Sequence, residues 1–325
     1  MDQVPPPMII RDIVSGHVVT RCLHVVAEAG VADRIGEQPV TAAALAQQTG
    51  LNPDALDRML RLLAAYGVFS RQGDGWIHTP ASRLLRSDDP ASMRSFARMI
   101  GMPMVWNQFT ELGNAAKTGR PALDWAGLVD YFAAHPHEAA LFNQAMVSKS
   151  GAIIPAVLAD YDFSRFKTIA DVGGGRGHLL QAVLAATPAA RGILFDLPHV
   201  IADASDIASD RLALVAGDFF KSLPAADAYM LMEVIHDWDD DDAVKILGAV
   251  RRAAPAGAKV LLIEALVSDD GPLFGKVLDI IMLAVTGGRE RTAPEYEALL
   301  RASGWKLERT IPTRSQCAIL EAVPA

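Results

Sequence analysis

Apolar side chains recur at three- and four-residue steps across 14–32, 55–66, 93–112 and 139–158, the spacing that lays one apolar stripe along a helix. This half of the chain is expected to be mostly helical. Past residue 165 the pattern changes to short apolar runs, 168–172, 192–195, 212–216, 228–235 and 259–264, separated by helical stretches. Such alternation predicts an open, largely parallel sheet covered on both faces. Two last runs, 305–310 and 316–322, are joined by a short connection containing Pro312 and predict an antiparallel C-terminal hairpin on the sheet edge. The expected fold class is therefore α/β, with a Rossmann-like sheet domain at 166–325 behind a mostly helical domain at 1–165.

Within the helical half, 41–48 and 53–66 read as two helices, and 68–78 as a small hairpin turning at Asp74-Gly75. That is a winged-helix pattern. DNA binding is one use of it, but the second helix offers only Arg58 and Arg61 as cations against Leu56, Met59, Leu60, Leu62 and Leu63. So many aliphatics favour a packing or dimerisation module over groove reading. An apolar N-terminal helix at 14–26 adds surface that a homodimer would cover.

Composition narrows the classes further. The 325 residues are 51% hydrophobic and 21% charged, enough to bury a sizeable core and far from a disordered polymer. No segment approaches the ~18 consecutive apolar residues of a membrane span. The start lacks a cationic region ahead of a long apolar stretch, so it does not read as a signal peptide, and a cytoplasmic location is expected. The net charge of −8 comes from 13 Lys/Arg against 14 Asp/Glu over 1–150 and 17 against 24 over 151–325. Neither half has the cationic excess of a nucleic-acid footprint. Cys22 and Cys317 have no His or Cys neighbours at ligand spacing, which argues against a disulfide framework or a zinc site.

The chemistry concentrates at the ends of the predicted strands. In Ile169-Ala170-Asp171-Val172-Gly173-Gly174-Gly175-Arg176-Gly177-His178, a buried strand ends in an acid and a glycine-dense turn enters a helix, which lets a ligand approach bare backbone. A dinucleotide fingerprint would put its third glycine at position 178, where this chain has His178, so a dehydrogenase is disfavoured. The next strand ends in Asp196, about 20 residues on, where a ribose needs an acceptor. A third leads to Asp218 and Phe219, an acid and an aromatic suited to adenine.

His236 follows the fourth strand, at the carboxyl edge where ligands bind in such sheets. Glu264 ends the fifth strand, and Glu290 precedes a helix at 293–303, so both can converge on one imidazole. A carboxylate accepting from one ring nitrogen fixes the tautomer and leaves the other nitrogen free as a base. The run Asp239-Asp240-Asp241-Asp242 reads as a solvated, capped helix start rather than a metal site.

Together, Asp171-Val172-Gly173-Gly174-Gly175-Arg176-Gly177, Phe195-Asp196-Leu197-Pro198, Gly217-Asp218-Phe219-Phe220, His236-Asp237-Trp238 and Gly287-Gly288-Arg289-Glu290-Arg291-Thr292 resemble the S-adenosylmethionine-dependent O-methyltransferases of the class I fold, caffeate and hydroxyindole type. The resemblance spans nearly the whole chain. It implies that Asp171, Gly173, Gly175 and Leu197 line the cofactor, that Asp196 holds the ribose, and that Asp218 with Phe219 holds the adenine. Ser150 is implied at the methionine end. Where plant members carry Lys four residues before the histidine, this chain has Met232. The same resemblance makes His236 the general base framed by Asp237, Glu264 and Glu290, with no metal. It implies dimers with interlocked N-terminal helices and an acceptor slot over Met102, Phe132, Phe142, Met146, Ile281 and Met282. The expected function is methyl transfer from S-adenosylmethionine to a hydroxyl of a small aromatic or polyketide-like acceptor. The alternative is a cofactor-binding winged-helix regulator without catalysis, which would have no need of a base framed by acids.

Overall fold

A computed structural model describes residues 5–325. The chain up to Asn107, with Val129–Lys149, forms one compact unit, and Gln108–Leu128 with Ser150–Ala325 forms another. The division drawn at residue 165 from the pattern is a proposal about folding units.

The first unit opens with α1 (Pro6–Glu28), followed by β1 (Val40–Thr41), α2 (Ala42–Thr49), α3 (Pro53–Ala65), β2 (Phe69–Gln72), β3 (Gly75–His78) and the short α4 (Pro80–Arg83). Thr41 caps α2 by accepting from the Ala44 amide, and Asn52 caps α3 by accepting from Ala55, each satisfying an amide that the first turn leaves unpaired. On α3, Leu56, Leu60 and Leu63 are fully buried, and they pack with Val26, Leu45, Phe69 and Trp76 in one core. Arg61 pairs with Asp57 at 2.7 Å and Arg58 with Asp54 at 3.8 Å, so the two cations of this helix face acids of their own helix. The hairpin register pairs Gln72 with Gly75. The turn is therefore Gly73-Asp74, one residue earlier than expected, with Gly73 supplying the left-handed φ of +57°.

The helix expected at 93–112 is broken into α5 (Arg94–Gly101) and α6 (Pro103–Thr110). Met102 is extended, with ψ 152°, because the ring of Pro103 disfavours helical backbone in the residue before it. Next come α7 (Leu112–Thr118), α8 (Trp125–Ala134) and α9 (Pro136–Asp160).

The second unit holds β4 (Thr168–Val172), α10 (His178–Ala186), β5 (Arg191–Asp196), α11 (Pro198–Asp203), β6 (Leu212–Ala216), β7 (Ala228–Met232), α12 (Asp240–Ala253), β8 (Lys259–Ala265), α13 (Leu273–Val285), α14 (Ala293–Ala302), β9 (Trp305–Pro312) and β10 (Cys317–Pro324). The sheet order is β6-β5-β4-β7-β8-β10-β9. Strands β4 to β8 pair in parallel, while β10 runs antiparallel between β8 and β9. The expected Rossmann-like sheet with an antiparallel C-terminal hairpin is present. Alternate residues of β7 face opposite ways: Met230 joins one apolar cluster with Ile169, Leu194 and Ile263, and Leu231 joins another with Val172, Ile246 and Leu262.

One strand is shorter than the apolar run suggests. β7 stops at Met232, not at 235, because Glu233 takes a left-handed φ of 54° and Ile235–Asp237 close a 3₁₀ turn. This is the single non-glycine residue with positive φ among those described. The turn lifts His236 out of the strand line and over the carboxyl edge.

Candidate active site

The switch between outward and inward strand order falls at β4 and β7, and the loops after these strands carry the site. Gly173, Gly175 and Gly177 in the loop after β4 all have left-handed φ, at 68°, 57° and 70°. A Cβ on Gly174 would lie 2.6 Å from the Asp171 carboxyl carbon, whereas one on Gly175 would meet nothing within 4 Å. Gly174 is thus needed for packing, and Gly175 presents its backbone to open space, as a ligand-approach position must.

Asp196 ties this loop down. Its carboxylate accepts from the Gly175 amide at 2.9 Å and from the Leu197 amide at 2.7 Å. Asp171 is 2% exposed, and one of its oxygens has no partner. Burial, reinforced by the neighbouring Asp196 charge, pushes the Asp171 pKa up to about 7. Burial also pushes Asp196 up, against the pull of its two amide donors. After β6, Asp218 accepts from the Phe220 amide at 2.9 Å and lies 3.3 Å from the Lys221 ammonium. Phe219 packs edge-on against Phe220 and Trp238, with centroids 5.1 and 5.8 Å away. A glycine cradle open on one side, with three acids and an aromatic ring along successive strand ends, suits a nucleoside-bearing cofactor.

His236 is 4% exposed, and Glu264 and Glu290 are 0% and 3% exposed. The His236 Nδ1 lies 2.7 Å from Glu290 Oε1 and 3.7 Å from Glu264 Oε2, and Nε2 lies 3.8 Å from Asp237 Oδ1. Glu264 Oε1 accepts from the amides of Val234 at 3.2 Å and Ile235 at 2.8 Å, so the strand-end glutamate holds the turn that carries the histidine. An ionised Glu290 can only accept, so Nδ1 carries the hydrogen and Nε2 is the nitrogen left to exchange a proton. Burial opposes a charge on the ring, yet the charges of Glu264, Glu290 and Asp237 with the Glu290 hydrogen bond outweigh it, and the His236 pKa is pushed up to about 10. Burial also raises Glu264, to about 8, with the His236 charge pulling it down and the Glu290 charge pushing it up.

One ligand atom from each of His236, Glu264 and Glu290 falls within a sphere that a metal ion could occupy. The 2.7 Å separation of Nδ1 from Glu290 is instead that of a charge-assisted hydrogen bond, in which the nitrogen's lone pair is already committed to a proton. The expected acid block after the histidine is a helix start: Asp239 caps α12 by accepting from the Asp242 amide at 2.9 Å.

The remaining expected residues are distributed between the units. Met102, Phe132, Phe142 and Met146 belong to the first, where Phe132 and Phe142 pack with centroids 5.1 Å apart. Ile281 and Met282 lie on α13 in the second, packed with Ala265 and Leu278. Ser150 is half-buried in α9, and Met232 is half-buried against the apolar cluster of Met230 and Ile263.

Four residues around the histidine were given no role of their own in the sequence reading, although Gly288, Arg289 and Arg291 stand in the motif at 287–292. A Cβ on Gly288 would sit 2.0 Å from the His236 carbonyl oxygen, while the Arg289 amide donates to that same oxygen at 2.8 Å. Asp279 accepts from the Glu290 amide at 2.9 Å. Arg291 is 1% exposed and donates to the Ile235 and Trp238 carbonyls at 3.2 and 2.8 Å. The paired glycines at 287–288 were a legible signal of close approach; a buried arginine next to a glutamate in a polar stretch was not.

The chain also matches known proteins. Residues 109–306 match the O-methyltransferase domain family, and residues 12–88 match the O-methyltransferase dimerisation domain. The chain is 40% identical to the phenazine O-methyltransferase PhzM of Lysobacter antibioticus, over 99% of this chain and 97% of that protein. Human N-acetylserotonin methyltransferase, solved in complex with SAM, has TM-score 0.90 at 25% identity, covering 100% of this chain and 99% of that one. The O-methyltransferase NcsB1 of neocarzinostatin biosynthesis, solved with SAM and 2-hydroxy-5-methyl naphthoic acid, has TM-score 0.77 at 33% identity, covering 94% and 96%.

Proposed function

The chain belongs to the O-methyltransferase family, and on that premise we propose how its own residues carry out S-adenosylmethionine-dependent methyl transfer to a hydroxyl of a small aromatic or polyketide-like acceptor. The observation that carries the reading is the His236 ring, held at Nδ1 by Glu290 and with Nε2 left for proton exchange. The bound cofactor supplies an electrophilic methyl carbon on a sulfonium. In this assignment Gly173, Gly175 and Leu197 offer backbone to it, Asp196 the ribose acceptor, Asp218 and Phe219 the adenine contacts, and Asp171, Ser150 and Met232 the surroundings of its amino-acid end. Support comes from the open side of Gly175 and the unpartnered oxygen of buried Asp171.

His236 takes the acceptor's proton at Nε2 as the oxygen bonds to carbon, and Glu290 and Glu264 stabilise the imidazolium that forms. A phenol has a pKa of ~10, and a base raised to about 10 exchanges a proton with it at little cost in free energy. Only the neutral ring can accept, so turnover rises with pH towards that value. Asp237 flanks the exchanging nitrogen. Met102, Phe132, Phe142 and Met146 of the first unit, and Ile281 and Met282 of the second, are the side chains assigned to the acceptor; all are apolar, which suits a flat ring better than a sugar.

The dimerisation domain and the exposed apolar face of α1 support a homodimer. None of the described helices is long and apolar enough to cross a membrane. A chain with two cysteines, Cys22 and Cys317, far apart in sequence fits the reducing cytoplasm that we assign as its location. The regulator alternative gains no support from the relatives above. The test is transfer of label from S-adenosylmethionine to a panel of phenols, hydroxyphenazines, flavonoids and aromatic polyketides. We expect label on at least one aromatic hydroxyl; a protein that binds the cofactor and labels none of them would overturn the reading.

A further inference from the structure

Resting on the assignment of His236 as the base, we propose that Arg291 is the positioning residue that keeps the His236 turn in register with Glu290 during proton transfer. Its guanidinium is buried, at 1% exposure, and its donors converge on the histidine's turn from one side. Nη1 donates to the carbonyl of Ile235, one residue before His236, at 3.2 Å, and Nη2 donates to that of Trp238, two residues after, at 2.8 Å. Nε donates to Asp240 Oδ1 at 2.9 Å, and Nη2 lies 2.8 Å from the same oxygen. One planar fork therefore spans the turn and pins it to the first residue of α12.

The backbone of the same residue is anchored separately. The Arg291 carbonyl accepts from Val267 at 3.1 Å, just beyond the strand that carries Glu264. Its neighbour Glu290 is fixed by the Asp279 carboxylate through its amide. Arg291 thus joins the histidine's turn to the segment of Glu290 and to the end of β8, so the 2.7 Å contact at Nδ1 depends on it. A flexible ammonium could not replace the fork, since it offers a point charge rather than fixed donors at both carbonyls. Burying a guanidinium is costly unless its donors are satisfied, and here the satisfying groups are those that flank the base.

The test is Arg291→Lys, which keeps the charge and loses the fork, with Asp240→Ala as a milder variant that removes the carboxylate and leaves both carbonyl bonds. The groups facing His236 are Glu264, Glu290 and Asp237. A looser Glu290 contact stabilises the imidazolium less, so the acid limb of the pH profile of kcat moves to lower pH. For Arg291→Lys we expect kcat to fall at least tenfold and that limb to move by at least half a pH unit, with cofactor Kd by calorimetry within about twofold of wild type. Asp240→Ala is expected to move the limb the same way by less, and it carries the test alone if the lysine variant does not fold. A general loss of folding would lower the active fraction without moving the limb. If the limb stays at its wild-type position in Arg291→Lys, or in Asp240→Ala where the lysine variant does not fold, the inference fails. A wild-type protein that transfers no methyl group would instead overturn the assignment on which it rests.

Discussion

His236 shows how far a single side chain depends on what surrounds it. An isolated imidazole titrates near ~6.5, whereas this one, facing Glu264, Glu290 and Asp237, is pushed up to about 10. Replacing it by alanine is expected to lower kcat by about 10²–10⁴-fold, the range for loss of a general base, while calorimetry returns an unchanged cofactor Kd. Full activity in His236→Ala would leave proximity and desolvation to explain the rate. Gly175 is the second decisive position, for a different reason. Its φ of +57° is hostile to a branched side chain and its missing Cβ faces open space, so Gly175→Val should fold with local strain and bind S-adenosylmethionine at least tenfold more weakly. Wild-type affinity in the folded variant would remove the loop from the cofactor site.

At the level of elements, the helix α1 ends in a buried pair, Val26 and Ala27, but its first turns leave Ile10, Ile13 and Val14 between 64% and 71% exposed. Aliphatics in such a row on one helix signal a surface that another chain covers, in agreement with the dimerisation domain at residues 12–88. Ile13→Glu should therefore shift the sedimentation of a micromolar sample from dimer towards monomer without unfolding the winged-helix core around Leu56 and Trp76. An undisturbed dimer would place the interface on another element. The α3 helix is the instructive contrast, because it carries the cations that a DNA-reading helix would need and spends them on Asp54 and Asp57.

For the whole molecule, three of the buried groups whose pKa values are raised titrate between about 7 and about 10: Asp171 at about 7, Glu264 at about 8 and His236 at about 10. Each makes the native state bind more protons than the unfolded chain, so stability falls as pH rises through these windows. The stabilisation that His236 gains from its carboxylates is full below the unfolded value of ~6.5 and is lost as pH rises through about 10. The cost of burying ionised Asp171 and Glu264 is absent below their unfolded values of ~4 and complete above about 7 and 8. The unliganded protein should accordingly unfold at a lower temperature at pH 9 than at pH 6 in calorimetry. The opposite order would mean that the cluster does not hold its extra protons in solution.

The sequence by itself determined the strand and helix alternation, the glycine turn after Asp171, and the identity of His236, Glu264 and Glu290 as the groups worth watching. These were legible because burial imposes a period on each element, and because an acid or a histidine at a strand end stands out from an apolar run. Local conflicts blurred the edges: Pro103 split a helix whose apolar spacing ran straight through it, and the left-handed turn at Glu233 ended β7 while its hydrophobic run continued. What only the tertiary structure decided was convergence. The 2.7 Å bond between His236 and Glu290, the close approach of Gly288 to the histidine's carbonyl, and the fork of Arg291 across the same turn join loops that are distant along the chain. Their meeting is set by parallel strand pairing and loop conformation, and neither leaves a mark in hydrophobic periodicity.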